Sequence, residues 1–179
     1  MTTGQPISQD EFSELLRTFR RSAFRLETRQ EYALGYERAD FARFLAGTPV
    51  PPPETGWWRP WLEQVARLTR EGKTVSRVRI LDEPPTDYQR WMLWAGPWYA
   101  AAGEDIRYLA RSTAGRIGLP LDHDWWLLDG ERVMVIRYTG ANEIAGKWLI
   151  TDPGGTAPYL TWRDLAVRDA TAAEHITAA

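Results

Sequence analysis

Thr74–Arg111, TVSRVRILDEPPTDYQRWMLWAGPWYAAAGEDIRYLAR, is the stretch on which the fold turns. Val75–Leu81 alternates apolar and polar side chains as a strand does, and Pro84-Pro85 stops it. A tryptophan-loaded helix follows, and Asp105–Ala110 reads as a second strand closing a βαβ unit. In the helix, Trp91, Trp94 and Trp98 fall at i, i+3 and i+7, while Tyr88, Met92, Ala95 and Tyr99 take the neighbouring stripe. A helix apolar on most of its circumference is either core or a ligand or partner surface, and both readings stay open. Pro97 cannot donate to the Leu93 carbonyl, which predicts a kink or a restart and a groove where Trp94, Trp98 and Tyr99 converge. Asp82, Glu83 and Asp87 lie at the carboxyl end of the first core strand, where open α/β sheets place ligands. Thr86 as a helix cap and Asp87 as a dipole partner explain two of those positions without function.

Outward from this unit, Ser8 and Glu11 form a capping box, and Phe12, Leu15, Leu16 and Phe19 follow at helical spacing. Phe24, Leu26 and Thr28 alternate with Arg25, Glu27 and Arg29, as in a strand with one buried face. A second helix is expected near Glu37–Ala46, a proline-rich linker over 48–56, and a third helix from Pro60 to Gly72. Past the core, Asp129-Gly130 between Trp125–Leu128 and Arg132–Thr139 signals a tight hairpin, with Lys147–Thr151 a further strand. Asp152-Pro153-Gly154-Gly155 reads as a break, with Pro158 opening the last helix. The expectation is one α/β (α+β) domain over 1–179: an N-terminal helix-strand-helix cap (1–47), the linker, a core with a small mixed sheet, hairpin and helix (57–170), and a tail (171–179).

Composition narrows the function classes. The 179 residues carry a formal net charge of −2, so no whole-molecule attraction to nucleic acid is expected. All but Lys73 and Lys147 of the 22 basic residues are Arg. The run Arg17, Arg20, Arg21, Arg25 and Arg29 offers arginine forks that suit phosphate on nucleic acid or a phosphorylated ligand, but interspersed Glu11, Glu14, Glu27 and Glu31 make a solvated face the plainer reading. With no Cys, thiolate metal sites and cysteine nucleophiles are excluded. No signal-peptide layout and no membrane-length apolar run is present, so a cytoplasmic protein without membrane contact is expected. No cofactor or metal is expected, since His175 sits in the tail and no ligand spacing is recognisable. Asp122-His123-Asp124, ahead of the hairpin, is the one candidate for acid-base chemistry; turn hydrogen bonding is its plainer explanation.

FRLETRQEY (24–32), WRPWLEQVARLTREGKTVSRVRILDEPPTDYQRW (58–91), AAGEDIRYLAR (101–111) and DHDWWLLDGERVMVIRY (122–138) together resemble an actinobacterial family of domains of unknown function. The resemblance runs from Phe24 to Ala170 and implies small cytoplasmic proteins, often encoded beside helix-turn-helix regulators. It supplies no catalytic residues. More distantly, the order of elements resembles the phospholipase D-like fold, whose motif is His-x-Lys followed by an Asp. Trp125 stands where that Lys is required and Asp129 falls one residue short, so the resemblance implies the fold without the catalysis. The expected function is a non-catalytic regulatory or interaction module, acting with a helix-turn-helix regulator or sensing a small molecule, with no direct tight nucleic-acid binding. Its expected binding residues are Asp82, Glu83, Asp87, Trp94, Trp98 and Tyr99. The alternative is a diverged phosphodiester hydrolase or a secondary-metabolism tailoring enzyme using His123, Asp122 and Asp124.

Overall fold

The computed structural model describes residues 4–173. A two-residue strand β1 (Gln5–Pro6) leads to α1 (Gln9–Thr18), β2 (Ser22–Glu27) and α2 (Arg38–Leu45). At the start of α1 the Ser8 hydroxyl accepts the Glu11 N–H at 3.2 Å and the Glu11 carboxylate accepts the Ser8 N–H at 2.7 Å, satisfying two helix-end donors reciprocally. The proline-rich segment holds a single 3-10 turn, Pro52–Glu54, and opens into α3 (Arg59–Arg70). The βαβ core is β3 (Thr74–Leu81), α4 (Asp87–Ala102) and β4 (Glu104–Ala110), with the two strands parallel. Then come α5 (Arg111–Arg116), β5 (Asp124–Leu128), β6 (Arg132–Tyr138), β7 (Ile144–Ile150), α6 (Pro153–Asp169) and β8 (Thr171–Ala172).

The eight strands form one mixed sheet in the order β1-β7-β6-β5-β2-β3-β4-β8. β2, from the segment read as a cap, sits in its middle, parallel to β3 and antiparallel to β5. Phe24, Leu26, Val78, Ile80, Trp125 and Leu127 point to one face and pack with residues of α5 and α6. The other face carries two apolar clusters. Phe12, Val65, Leu68, Trp126 and Met134 join α1 and α3 to one side of the sheet, while Trp58, Leu62, Trp91, Ala95 and Ile106 join α3 and α4 to the other. Between them the strands present charged side chains.

Several local expectations are corrected. α4 continues through Pro97 without a restart, the proline removing one donor from the ladder, and Thr86 and Gln89 form a capping box at its start. Gly96 lets the helix approach β4 closely, since a Cβ there would lie 2.8 Å from the Tyr108 hydroxyl. α5 was not anticipated, and it has no side-chain cap to announce it. Asp152-Pro153 follows the end of β7 at Ile150, as expected, but it also starts α6 ahead of Pro158: the Asp152 carboxylate accepts the Gly155 N–H at 2.7 Å and Pro153 takes the first helical position, leaving Pro158 inside. The hairpin turn forms as expected, with Asp129 at φ 58° and Gly130 at φ 74°. Thr171 and Ala172 pair with β4, while the remainder of the expected tail from Glu174, including His175, lies outside the described residues. Among the described residues no helix is long and apolar enough to cross a membrane.

Candidate functional site

Side chains alternate along a strand, so residues of β2 and β3 that do not face α5 and α6 must face α3 and α4. The charged ones among them are Arg25 and Glu27 on β2, and Arg77 and Arg79 on β3; Arg25 sits beside Arg77 and Glu27 beside Arg79. The alternation was expected to leave such positions in solvent. Instead Glu27, Arg77 and Arg79 are 3%, 3% and 4% exposed, because helices cover both faces of these central strands.

Burying charge is costly unless it is paired and hydrogen-bonded. Here the pairing is extensive. Glu27 accepts from Arg79 Nε at 2.5 Å and Arg77 Nη1 at 2.8 Å, with Arg25 Nη1 at 3.1 Å. Arg77 Nε also donates to Glu104 at 2.7 Å, and the second Glu104 oxygen accepts from the Trp61 indole at 3.0 Å. Asp124 accepts from the Thr28 N–H and hydroxyl at 2.8 and 2.9 Å, and from the Tyr32 and Tyr138 hydroxyls at 2.6 and 3.0 Å. Burial alone would raise the Glu27 carboxyl, but Arg25, Arg77 and Arg79 outweigh it and hold the group far below the usual carboxylate range.

This charged strip floors a cavity of about 410 Å³ between the sheet and the helices. Its walls are aromatic: Trp57 stacks on Trp58 with centroids 4.6 Å apart, Trp61 meets Trp126 edge-on at 5.6 Å, and the Trp58 indole donates to the Tyr99 hydroxyl at 2.6 Å. The Arg77 guanidinium lies over the Tyr99 ring at 5.0 Å, a cation–π contact. Burial pushes the Tyr99 phenol up to about 12 and Tyr32 well above its ordinary value, so both remain protonated at neutral pH. Glu37, lining the same cavity, accepts from the Tyr88 hydroxyl at 2.7 Å. Burial pushes its carboxyl up to about 7, against the opposing Tyr88 hydrogen bond. Three lining side chains carry a buried polar atom with no hydrogen-bond partner among the described residues: Arg25 Nε, Arg79 Nη1 and Trp126 Nε1.

Of the residues singled out by sequence, Tyr99 lines this cavity. Asp82 and Glu83 line a second, more open one of about 390 Å³. There Asp82 accepts from Arg111 at 2.8 Å, Gln30 at 2.9 Å and Gln89 at 2.7 Å, and Glu83 accepts from Ser112 at 2.5 Å. Asp87 pairs with Arg90 at the surface. Trp94 and Trp98 are half-buried, 4.8 Å apart, with Phe44 at 5.9 Å from Trp94; they line neither cavity. His123 is buried, its Nδ1 2.8 Å from the exposed carboxylate of Asp122 and its Nε2 3.3 Å from the Tyr159 hydroxyl of α6, while Asp124 turns to the opposite face of the sheet. Among the described residues no group of three or more His, Asp or Glu side chains could hold a metal ion.

Glu27, Glu37, Arg77, Arg79 and Glu104 are not among the site residues the sequence suggests, and Arg25, from the basic run, lines this cavity instead of a solvated face. Arg-x-Glu on β2 and Arg-x-Arg on β3 mark a charged face, and only the helices packed over that face make it interior.

The family model described as a domain of unknown function (DUF6879) matches residues 10–177. No curated protein matches the chain. Among solved structures the chain is similar to TrmBL2, an archaeal chromatin protein with a novel mode of DNA binding, at 12% identity and TM-score 0.50. That match covers 94% of this chain and 52% of the other, so the chain spans about half the length of that protein. It is also similar to NucT from Helicobacter pylori (12% identity, TM-score 0.47, covering 92% and 91%) and to the phosphatidylserine synthase of Haemophilus influenzae Rd KW20 (12%, 0.45, covering 94% and 38%). At such identities the likeness is one of fold. It nonetheless corrects the expectation of no direct tight nucleic-acid binding, because a chromatin protein that binds DNA carries a fold like this one. The expectation rested on net charge, and a whole-chain sum does not describe a local surface once salt screens distant charges.

Proposed function

We propose that this chain, which belongs to the DUF6879 family of domains of unknown function, is a non-catalytic regulatory module that senses a small molecule in the arginine-floored aromatic cavity and acts with a helix-turn-helix regulator. The setting of the proposal is an actinobacterial cytoplasm, following the family resemblance. The observation that carries it is the cavity itself: a preformed, largely apolar recess whose floor carboxylate Glu27 is already bonded to arginine, as is Glu104, the second partner of the lining Arg77. Such carboxylates orient a ligand's polar groups through their arginines and are poorly placed to accept a proton. Among the described residues the lining contains no Ser, Thr, Cys or His nucleophile. His123, the acid-base candidate of the enzyme reading, is packed between Asp122 and Tyr159, apart from the cavity.

The test is a thermal-unfolding screen of the purified protein against aromatic metabolites, followed by measuring whether a stabilising compound alters association with the partner regulator. A true ligand at about 100 times its Kd should stabilise by about 2.7 kcal/mol. Tyr36→Ala, which removes a lining ring that is 58% exposed, should weaken that response without unfolding the chain. Turnover of the stabilising compound, or a panel in which nothing stabilises, would overturn the reading.

A further inference from the structure

We propose that the ligand of this cavity is a planar aromatic carboxylate, its ring between the tryptophan and tyrosine walls and its carboxylate on the unpaired N–H groups of Arg25, Arg79 and Trp126. This deepens the sensing reading above and rests on it.

The sign of the unpaired groups comes first. The three partnerless lining atoms, Arg25 Nε, Arg79 Nη1 and Trp126 Nε1, are all donors. The nearby acceptors are taken, Glu27 by three arginines, Glu104 by Arg77 and Trp61, and Asp124 by Thr28, Tyr32 and Tyr138. A ligand that brings acceptors satisfies what burial leaves open, whereas one that brings donors adds to the deficit. Arg79 is 4% exposed, so its free Nη1 is not a surface group waiting on solvent.

Charge points the same way. Arg25, Arg77, Arg79 and Lys147 line the cavity together with the carboxylate of Glu27, and the carboxylates of Glu104 and Asp124, outside the lining, pair with Arg77 and Arg25. With Glu37 protonated, one positive charge remains in excess, which suits a monoanion. Groups facing Glu37 are Tyr88 of α4, Arg25 and Glu27 of β2, Arg79 of β3, Arg38 of α2, and Glu31 and Tyr32 from the connection between β2 and α2. Ionising Glu37 cancels the excess, so an anionic ligand should bind more tightly below neutrality than above it. The walls supply the rest: flat indole and phenol faces favour a flat ring, and about 410 Å³ suits a small molecule.

The experiment is isothermal titration calorimetry with matched probes, the carboxylate, primary carboxamide and methylammonium derivatives of benzene, indole and naphthalene, and with a 5′-mononucleotide as the phosphate-bearing comparison. At least one carboxylate should bind roughly tenfold or more tightly than its carboxamide, with the ammonium weakest, and its affinity should fall between about pH 6 and about pH 8. Trp126→Phe and Arg25→Lys each remove one of the free donors and should cost roughly tenfold in carboxylate affinity. Thermal unfolding checks that they fold, and Trp126→Phe, which keeps an aromatic ring at the position, decides the matter if Arg25→Lys does not. A carboxamide or ammonium that binds as well as its carboxylate would overturn the inference and leave the sensing reading standing. So would a 5′-mononucleotide that binds more tightly than every carboxylate, which would assign the cavity to a phosphate-bearing ligand. Failure of every probe to bind would overturn both.

Discussion

Glu27 and Arg79 stand side by side on adjacent parallel strands and share a 2.5 Å hydrogen bond in the interior, each about 4% exposed along the side chain. Breaking a buried pair leaves an uncompensated charge, which typically costs about 3–5 kcal/mol. Glu27→Gln should therefore lower stability by about that much in urea denaturation, since it strips the shared anion from Arg25, Arg77 and Arg79. The surface pair Arg17–Glu14, more than half exposed on both sides, should tolerate Arg17→Ala within about 1 kcal/mol. Equal losses for the two variants would contradict the buried network.

Glu37 gives the protein a pH dependence of definite sign. Its carboxyl is raised from 4.5 to about 7 by burial, so the native state binds the proton more tightly than the unfolded chain. The stability tied to that proton is fully present below about 4.5 and is lost as pH rises through about 7. Relative to Glu37→Gln, wild-type stability should fall by about 3 kcal/mol across that window. Chemical denaturation at both ends measures it, and a flat difference would show that Glu37 ionises normally.

His123 should behave as a packing residue. Its ring lies between Asp122 and Tyr159, so His123→Ala should cost about 1–3 kcal/mol through lost hydrogen bonds and contact. It should leave ligand-induced stabilisation unchanged. A loss of ligand response with stability intact would return His123 to the site.

The aromatic helix separates into two roles. Trp91 is 1% exposed and touches Phe41, Trp57, Trp58 and Tyr88, so Trp91→Ala should show the full penalty of about 3–5 kcal/mol for emptying a core aromatic site. Trp98→Ala, at a half-buried position, should cost less than that and serves to test whether the Trp94–Trp98 surface engages a partner. Equal penalties in thermal unfolding would mean that Trp98 is core as well.

What the sequence made legible was local. The Ser8 box, the Asp129-Gly130 turn and the β3-α4-β4 unit each rest on signals a few residues long, and each formed. The short pairings of β1 and β8 depend on partners more than sixty residues away, and nothing within two residues announces them. The candidate site was hidden for a related reason. Alternation of Arg77 and Arg79 with Val78 and Ile80 says that two faces differ, yet only the placement of α3 and α4 over the polar face says that it is buried. Glu27 lies fifty residues from Arg77, so the neutralisation that makes this burial tolerable is a property of the sheet order alone.

The most direct test of the sensing account is a crystal structure of the protein grown with the aryl carboxylate that binds best. The ring should lie against Trp57, Trp58 and Tyr99, with its carboxylate within hydrogen-bonding distance of Arg79 Nη1 and Arg25 Nε. Density for the compound elsewhere on the surface, with the cavity between the sheet, α3 and α4 unchanged, would contradict it.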